Sequence, residues 1–167
     1  MNKIPVISIV SKSRVGKTTV LENLIKELKK RGVRVAIIKH DAHSFEIDHE
    51  GKDTWRHYQA GADVVTISSA SKFAMIERRE EEYPLDEIIA KLPPVDLILT
   101  EGFRRQNKPK IEVYRAEAHA ALMCEPEELI ALVSDTPWGI GVQCFALEDY
   151  EALADFVEKY MCEYIVK

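Results

Sequence analysis

The chain has 167 residues, of which 46% are hydrophobic and 31% are charged, and its formal net charge at pH 7 is −5. This length suits a single domain, which we expect to span residues 1–167 and to bury about two-thirds of its unfolded surface. The acidic balance argues against a dedicated nucleic-acid-binding protein, and no apolar run approaches the roughly 18 residues of a membrane span.

The first elements along the chain are a strand, a loop and a helix. Val6–Val10 is a short apolar run, and the helical pattern behind it reaches Lys30, with Gly32 as a stop signal. The apolar side chains of this helix share one face: Val20, Leu21, Leu24, Ile25 and Leu28. Further buried strands are predicted at Val33–Ile38, Val64–Ile67, Leu97–Thr100 and Leu129–Val133. Because helical patterns separate these strands, we expect an α/β fold with a mostly parallel sheet and helices on both faces.

Three more helices are predicted, at Trp55–Ala60, Leu85–Leu92 and Leu147–Tyr160. Two other stretches, Phe73–Arg79 and Lys110–Tyr114, alternate apolar and polar residues in part, as half-exposed strands do. These two strands could pair with each other, or they could form an edge that is used for dimerisation. We expect a homodimer, because a monomer would have to protect such edges.

The N-terminus indicates a cytoplasmic protein, and the cysteines indicate neither a disulfide nor a metal site. The chain runs from Met1 into a strand-like segment without an apolar leader. Its three cysteines, Cys124, Cys144 and Cys162, are odd in number and widely spaced. This spacing predicts free thiols rather than a disulfide or a zinc site.

The segment between the first strand and the first helix, SKSRVGKTT, is typical of a phosphate-binding P-loop. At such a junction, backbone N–H groups and the helix dipole converge on a phosphate. Lys17 would reach the β- and γ-phosphates, and the Thr18 hydroxyl would bind Mg²⁺. We therefore predict a three-layer, P-loop NTPase-like domain. Its predicted nucleotide contacts come from Ser11, Lys12, Ser13, Arg14, Val15, Gly16, Lys17, Thr18 and Thr19.

Ser11 departs from the usual P-loop pattern. It stands five residues before Gly16, where such a loop normally has its first glycine. Because serine tolerates positive φ poorly, we expect a strain of about 1 kcal/mol at this turn. The predicted result is an altered or more mobile loop entrance, which still binds nucleotide with reduced affinity.

A second carboxylate is expected at the end of a neighbouring strand, since ligands of open α/β sheets bind outside the carboxyl ends of the strands. Glu101 directly follows the apolar run DLILT and is predicted to hold Mg²⁺ or its water. Gly102 then lets the backbone approach the phosphates. Asp96 begins the same strand, about 16 Å away on an extended chain, and we interpret it as structural.

Two polar segments at the same predicted edge stay open between ligands and solvated loop residues. The segment after the second strand carries His40, Asp41, His43, Asp48 and His49, without zinc spacing. Asp41 is the catalytic candidate among them, followed by Asp48. After Leu129–Val133, Asp135 could accept hydrogen bonds from guanine N1 and N2, or it could cap a turn before Pro137.

Three longer segments carry a more specific pattern: SKSRVGKTTVLENLIKELKKRG, VAIIKHDAHSFEIDHEGKDTWRHYQAGAD and DLILTEGFRRQNKPKIEVYR. Together they cover most of residues 6–115 and resemble the MobB family of molybdopterin-guanine dinucleotide biosynthesis proteins. The resemblance implies a P-loop fold, GTP binding with Mg²⁺, slow GTP hydrolysis and a homodimer. It also implies a partner, the molybdopterin guanylyltransferase that attaches GMP to molybdopterin. Ser11 and Arg14-Val15 depart from the family pattern, which puts the nucleotide affinity in question.

The residues leave two other functions open. A small-molecule or nucleoside kinase would use the same P-loop, with Arg104-Arg105 in place of an arginine-rich lid. A non-hydrolytic adapter would bind molybdopterin through Arg104, Arg105, Lys108 and Lys110, which could equally form a solvated basic loop. The candidate contacts for a pterin or its phosphate are Lys39, His40, Arg104 and Arg105.

Overall fold

The computed structural model describes residues 4–41 and 45–166, and the chain divides into two compact units. One unit joins the residues up to His40 to those from Leu92 onward, and the other consists of Asp41–Lys91. Of the candidate ligands named above, His43 lies outside the described residues. The single-domain organisation of residues 1–167 stays a prediction.

The first unit is built on a six-stranded sheet. Its strands are β1 (Val6–Val10), β2 (Val35–Lys39), β5 (Leu97–Glu101), β6 (Lys110–Tyr114), β7 (Leu129–Ser134) and β8 (Gln143–Phe145). Its helices are α1 (Lys17–Lys30) and α4 (Tyr150–Val166), and a 3₁₀ turn at Pro126–Glu128 precedes β7. The second unit contains α2 (Asp53–Gln59), β3 (Val64–Ser68), β4 (Phe73–Glu77) and α3 (Leu85–Ala90).

The six strands are all parallel and follow the order β2-β5-β1-β6-β7-β8. This arrangement confirms the predicted α/β class, a mostly parallel sheet with helices. β1 lies between β5 and β6, pairing Ile9 with Glu101 and Val10 with Glu112. Because the strands run in one direction, the segments that follow β1, β2, β5, β6 and β7 leave the sheet at the same edge.

The main core lies between one face of this sheet and helices α1 and α4. Its fully buried members include Ile7, Leu24, Leu28, Leu99, Ile111, Leu153 and Val157. Arg31, at the end of α1, also joins the two helices through ion pairs with Asp155 at 2.6 Å and Glu158 at 2.7 Å. The helix carrying the P-loop is thereby fixed to both the sheet and the C-terminal helix.

The strand predicted at Val64–Ile67 does not belong to the parallel sheet. β3 pairs with β4 as an antiparallel hairpin, with Val65 opposite Ile76 and Thr66 opposite Met75. Val64 and Ile67 are exposed, so this run is not a buried strand. A short apolar run has the same composition in both settings, and its sequence does not decide between them.

The prediction that Lys110–Tyr114 is a half-exposed edge strand is wrong. β6 is flanked by β1 and β7, and all five of its residues are buried. Its buried polar side chains have hydrogen-bond partners. Lys110 Nζ donates to Glu128 Oε1 at 2.8 Å, and Glu112 accepts from the amides of Met123 and Cys124. The other alternating stretch, β4, pairs with β3 and not with β6.

No helix within the described residues is long and apolar enough to cross a membrane. The three cysteines are free thiols, with Cys124 buried and Cys144 and Cys162 exposed. Burial raises the pKa of the Cys124 thiol to about 12, and the negative charge of Glu112 adds to this effect. The Cys124 thiol is therefore protonated at neutral pH and poorly nucleophilic.

Candidate functional site

The P-loop connects β1 to α1 at the carboxyl edge of the sheet. Helix α1 begins at Lys17, and the residue before it, Gly16, has a positive φ of 88°. Val15 is fully buried and anchors the loop in the core. This geometry directs the first amides of α1 outward, as an anion site requires.

The backbone strain expected at Ser11 lies at a different residue. Ser11 does not have a positive φ, whereas Arg14 does, with a φ of 64°. The loop therefore leaves β1 without a left-handed turn at Ser11 and turns three residues later. The absence of a glycine at position 11 costs little, and the expected strain of about 1 kcal/mol belongs to Arg14.

Lys17 and Glu101 form an ion pair, with Nζ 2.8 Å from Oε1. Both side chains are mostly buried, with 21% of Lys17 and 15% of Glu101 exposed. Glu101 ends β5, the strand beside β1, so the sheet brings the two groups together as the edge rule predicts. The site thus combines an ammonium group for phosphate oxygens with a carboxylate that can serve as a metal ligand.

Gly102 keeps the backbone beside Glu101 in close contact with His40. It has a φ of 101°, and a Cβ atom at this position would lie 2.8 Å from the carbonyl oxygen of His40. The His40 amide donates to the Glu101 carbonyl at 2.8 Å, and the His40 ring packs on Phe103 with centroids 5.1 Å apart. Residue 102 therefore has to be glycine for two reasons, its φ and this contact.

The segment after β6 holds the P-loop from the other side. Lys12 Nζ donates to the carbonyl oxygen of Ala121 at 2.8 Å, and His119 Nε2 lies 2.9 Å from the carbonyl oxygen of Ser13. The amides of Met123 and Cys124, further along the segment, donate to Glu112. This support is not predictable from the sequence, because the alternating pattern of β6 indicates an edge strand.

Asp135 supports a turn. Its Oδ1 accepts from the Ala116 amide at 2.9 Å, so one carboxylate oxygen already has a protein donor. The residue is exposed at the end of β7, on the same edge as the P-loop. Its predicted contact with guanine stays a prediction. The observed hydrogen bond joins Asp135 to the turn after β6, and it is not a local cap or turn contact before Pro137.

The remaining predicted residues differ in burial and in surroundings. Lys39 is exposed at the end of β2, and Arg104 and Arg105 are exposed beyond β5. The Arg104 guanidinium contacts the sulfur of Met123 at 3.8 Å. Lys110, the fourth cation of the proposed basic loop, is buried against Glu128 and is not available to a ligand. Asp41 begins the second unit, and its catalytic role stays a prediction.

Asp96 lies at the amino end of the sheet, opposite the P-loop. Its carboxylate binds the Arg34 guanidinium at 2.6 Å and the Arg34 amide at 2.8 Å. The guanidinium, and next the amide, lower the pKa of Asp96 to about 2. These contacts agree with a structural role for Asp96.

The residues at the P-loop fit a magnesium ion. Glu101 offers a carboxylate, and Thr18 offers an exposed hydroxyl in the first turn of α1, and both are oxygen donors of the kind that Mg²⁺ prefers. Within the described residues, no group of three or more His, Cys, Asp or Glu side chains could hold a metal ion. A metal at this site would therefore take ligands from the nucleotide as well, as P-loop sites do.

Comparison with known proteins identifies the family. The family model of molybdopterin guanine dinucleotide synthesis protein B, MobB, matches residues 6–135. The chain belongs to the MobB family. The match extends from β1 to the residue after β7, so it includes the P-loop and Glu101.

Relatives of known name agree with this assignment over nearly the whole chain. The molybdopterin-guanine dinucleotide biosynthesis adapter protein of Escherichia coli is 36% identical over 168 residues, covering 95% of this chain and 94% of its own. The protein of the same name from Haemophilus influenzae is 34% identical, with 96% and 91% covered. The crystal structure of Bacillus subtilis MobB superimposes with a TM-score of 0.76 at 27% identity, covering 93% of this chain and 97% of its own.

Proposed function

We propose that this chain is a GTP-binding adapter of molybdopterin guanine dinucleotide biosynthesis, which hydrolyses GTP slowly with Mg²⁺. The observation that carries the proposal is the Lys17–Glu101 pair at the mouth of a P-loop, in a chain of the MobB family. The relatives named as adapter proteins supply the pathway. The resemblance to the MobB family implies that this hydrolysis is slow.

Each residue of the site has a distinct task in this proposal. The amides at the start of α1 and the Lys17 ammonium bind the β- and γ-phosphates. Thr18 and Glu101 hold Mg²⁺, which neutralises charge on the phosphates when it is bound. Since Lys17 and Glu101 contact each other, Lys17 has to share or leave its carboxylate partner when it turns to a phosphate.

The proposed partner is the molybdopterin guanylyltransferase, and the proposed compartment is the cytoplasm. Free thiols on Cys144 and Cys162 suit a reducing compartment. The exposed cations at the end of β2 and beyond β5 would contact a pterin or its phosphate: Lys39, Arg104 and Arg105, with the half-buried His40 next in sequence to Lys39. Because the nucleotide and the pterin would both be bound through their phosphates, the adapter could hold both at one edge of the sheet.

A nucleotide panel tests the proposed function. GTP, GDP and ATP are titrated into the protein, and phosphate release is followed with and without candidate phosphoryl acceptors. We expect GTP-selective binding and slow phosphate release that no acceptor accelerates. Acceptor-dependent ADP formation would instead identify a kinase, and the absence of nucleotide binding would leave the non-hydrolytic adapter.

Lys17→Ala is the decisive variant in this panel. Loss of a charge-assisted contact of roughly 1.5–3 kcal/mol should weaken triphosphate binding by more than tenfold. Lys30→Ala is the matched control, since Lys30 lies on the same helix and pairs with Glu27 on its surface. Unchanged affinity in Lys17→Ala would contradict the proposed site.

The proposal includes a homodimer formed through the hairpin of the second unit. One face of the β3–β4 hairpin exposes three large apolar side chains: Val64, Phe73 and Met75. Such a face favours burial against a second copy. Light scattering should give about twice the monomer mass of 19.0 kDa, and Phe73→Ser with Met75→Ser should reduce it to the monomer mass. A parent protein of monomer mass at micromolar concentration would rule the dimer out.

A further inference from the structure

The guanidinium of Arg115 lies against the P-loop. Arg115 is the first residue after β6, and its Nη2 atom would lie 3.8 Å from a Cβ atom placed on Gly16. The group therefore lies close to the loop, beside the residue that precedes Lys17. Phosphate oxygens bound by the loop amides come within reach of a cation in this position.

The ion pair of Arg115 leaves it free to bind a ligand. Its Nη1 lies 3.6 Å from Glu117 Oε1, a distance too long for a strong charge-assisted hydrogen bond. The Glu117 side chain is 76% exposed and that of Arg115 is 37% exposed. Exposed pairs of this kind are weak, so a phosphate can replace Glu117 as the partner of the guanidinium.

The backbone around Arg115 is held in place before any ligand binds. The Arg115 carbonyl accepts from the amides of Ala118 and His119, which makes a tight turn. The next residue, Ala116, donates to Asp135, and the His119 ring contacts the Ser13 carbonyl of the P-loop. The turn is thus tied to β7 and to the loop that it faces, and the backbone that carries the Arg115 side chain is preorganised.

Arg115 and Glu101 stand on opposite sides of β1. Glu101 ends β5 and Arg115 follows β6, and β1 pairs with both strands. In the proposed function, the Lys17–Glu101 side takes the metal and the terminal phosphate. The β6 side then faces the part of the phosphate chain that is nearer to the ribose.

We propose that Arg115 is a nucleotide-binding residue that holds the α- and β-phosphates, and this inference rests on the proposed nucleotide site. A guanidinium presents a planar fork of donors that matches two phosphate oxygens, which a lysine ammonium does not. Because the α- and β-phosphates occur in both GDP and GTP, Arg115 supports binding of both nucleotides. Arg115 binds these two phosphates and takes no part in cleavage of the bond to the γ-phosphate.

Affinities for GDP and GTP in a set of variants test this inference. Arg115→Ala should lower the affinities for GDP and GTP by a similar factor of about tenfold or more. Arg115→Lys should retain only part of the parent affinity. Arg34→Ala is the matched control, since Arg34 is an ion-paired arginine at the opposite edge of the sheet, and it should leave both affinities unchanged. The Mg²⁺ dependence of GTP binding should be the same in Arg115→Ala as in the parent.

The outcomes separate this inference from the proposed function. If the parent binds GTP and Arg115→Ala binds both nucleotides equally well, the role of Arg115 is refuted and the proposed function stands. A loss confined to GTP would also refute it, since it would put Arg115 at the terminal phosphate. A parent that binds neither nucleotide would overturn both. Thermal unfolding of each variant checks that it is folded. If Arg115→Ala is unstable, Arg115→Lys preserves the charge, and its partial loss of affinity for both nucleotides is the test.

Discussion

Lys17 Nζ lies 2.8 Å from Glu101 Oε1, so the P-loop lysine and the acid at the end of the adjacent strand are ion partners. Each group neutralises the other, which makes a mostly buried pair of charges tolerable at the sheet edge. The same pairing makes the two proposed ligands interdependent. In the proposed function, Mg²⁺ would compete with Lys17 for the carboxylate, and a phosphate would compete with Glu101 for the ammonium.

Glu101→Gln should reduce GTP hydrolysis more than GTP binding. Phosphoryl transfer depends on positioning and charge stabilisation, so a misplaced metal should lower the single-turnover rate by about 10²-fold or more. The P-loop amides would still hold the phosphates, and the affinity should fall less than the rate. The measurement is single-turnover hydrolysis at saturating Mg²⁺, with Glu22→Gln on the exposed face of α1 as the control. Equal rates would remove Glu101 from the mechanism and leave Asp41 and Asp48 as the next candidates.

Arg14→Gly should stabilise the protein relative to Arg14→Ala. Both variants remove the charge, but only glycine adopts a φ of 64° without strain. The expected difference in the free energy of unfolding is about 1 kcal/mol, measured by urea denaturation. Ser11→Gly serves as the comparison and should give no such gain, because Ser11 lacks a positive φ. A stabilising effect of Ser11→Gly alone would place the strain where the sequence first suggested it.

Gly102→Ala should be more destabilising than Gly32→Ala. Both glycines have a positive φ, at 101° and 80°, and alanine is disfavoured at each by about 1 kcal/mol. At Gly102 the new Cβ would also lie 2.8 Å from the His40 carbonyl oxygen, whereas at Gly32 it would meet open space. The extra loss in the free energy of unfolding of Gly102→Ala relative to Gly32→Ala, measured by urea denaturation, therefore reports the contact with His40. Equal costs in the two variants would show that this close approach relaxes freely.

The Arg34–Asp96 pair should make part of the stability sensitive to acid. The folded pKa of Asp96 is about 2 and its ordinary value is 3.8, so folding favours the charged form. The stabilisation is complete above the ordinary pKa and is lost as the pH falls through about 2. Asp96→Asn should therefore lose less stability than the parent between pH 5 and pH 2, as followed by the urea midpoint. Parallel curves for the two proteins would contradict the lowered pKa.

The sequence was sufficient where local pattern and topology coincide. The apolar run at Val6–Val10 and the one-sided helix after it are purely local signals, and both appear as predicted. Glu101 was found because the carboxyl ends of parallel strands share an edge, and its strand is an unbroken apolar run. These residues need no distant partner to be recognised.

The errors arise where distant residues decide the structure. The sequence of β6 indicates a half-exposed strand, because it contains the polar residues Lys110 and Glu112. The hydrogen-bond partners that allow both side chains to be buried come from residues 123–128, which the pattern of β6 does not reveal. Arg115 was missed for the same reason, since its place at the site follows only from a central β6. β8 is three residues long and carries too little pattern to predict. The amphipathic pattern predicts that α4 ends at Tyr160, but the helix continues to Val166, since no proline or glycine follows Tyr160 to stop it.

The buried carboxylate of Glu112 has a consequence for the motions of the segment that braces the P-loop. Its two oxygens accept from the amides of Met123 and Cys124 at 2.6 and 2.9 Å, and the side chain is almost fully buried. These amides belong to no helix or strand, yet they can exchange with solvent only when the segment separates from β6. Their hydrogen exchange should therefore be as slow as that of strand amides. The exchange rate would report how often this segment separates from β6 beside the P-loop.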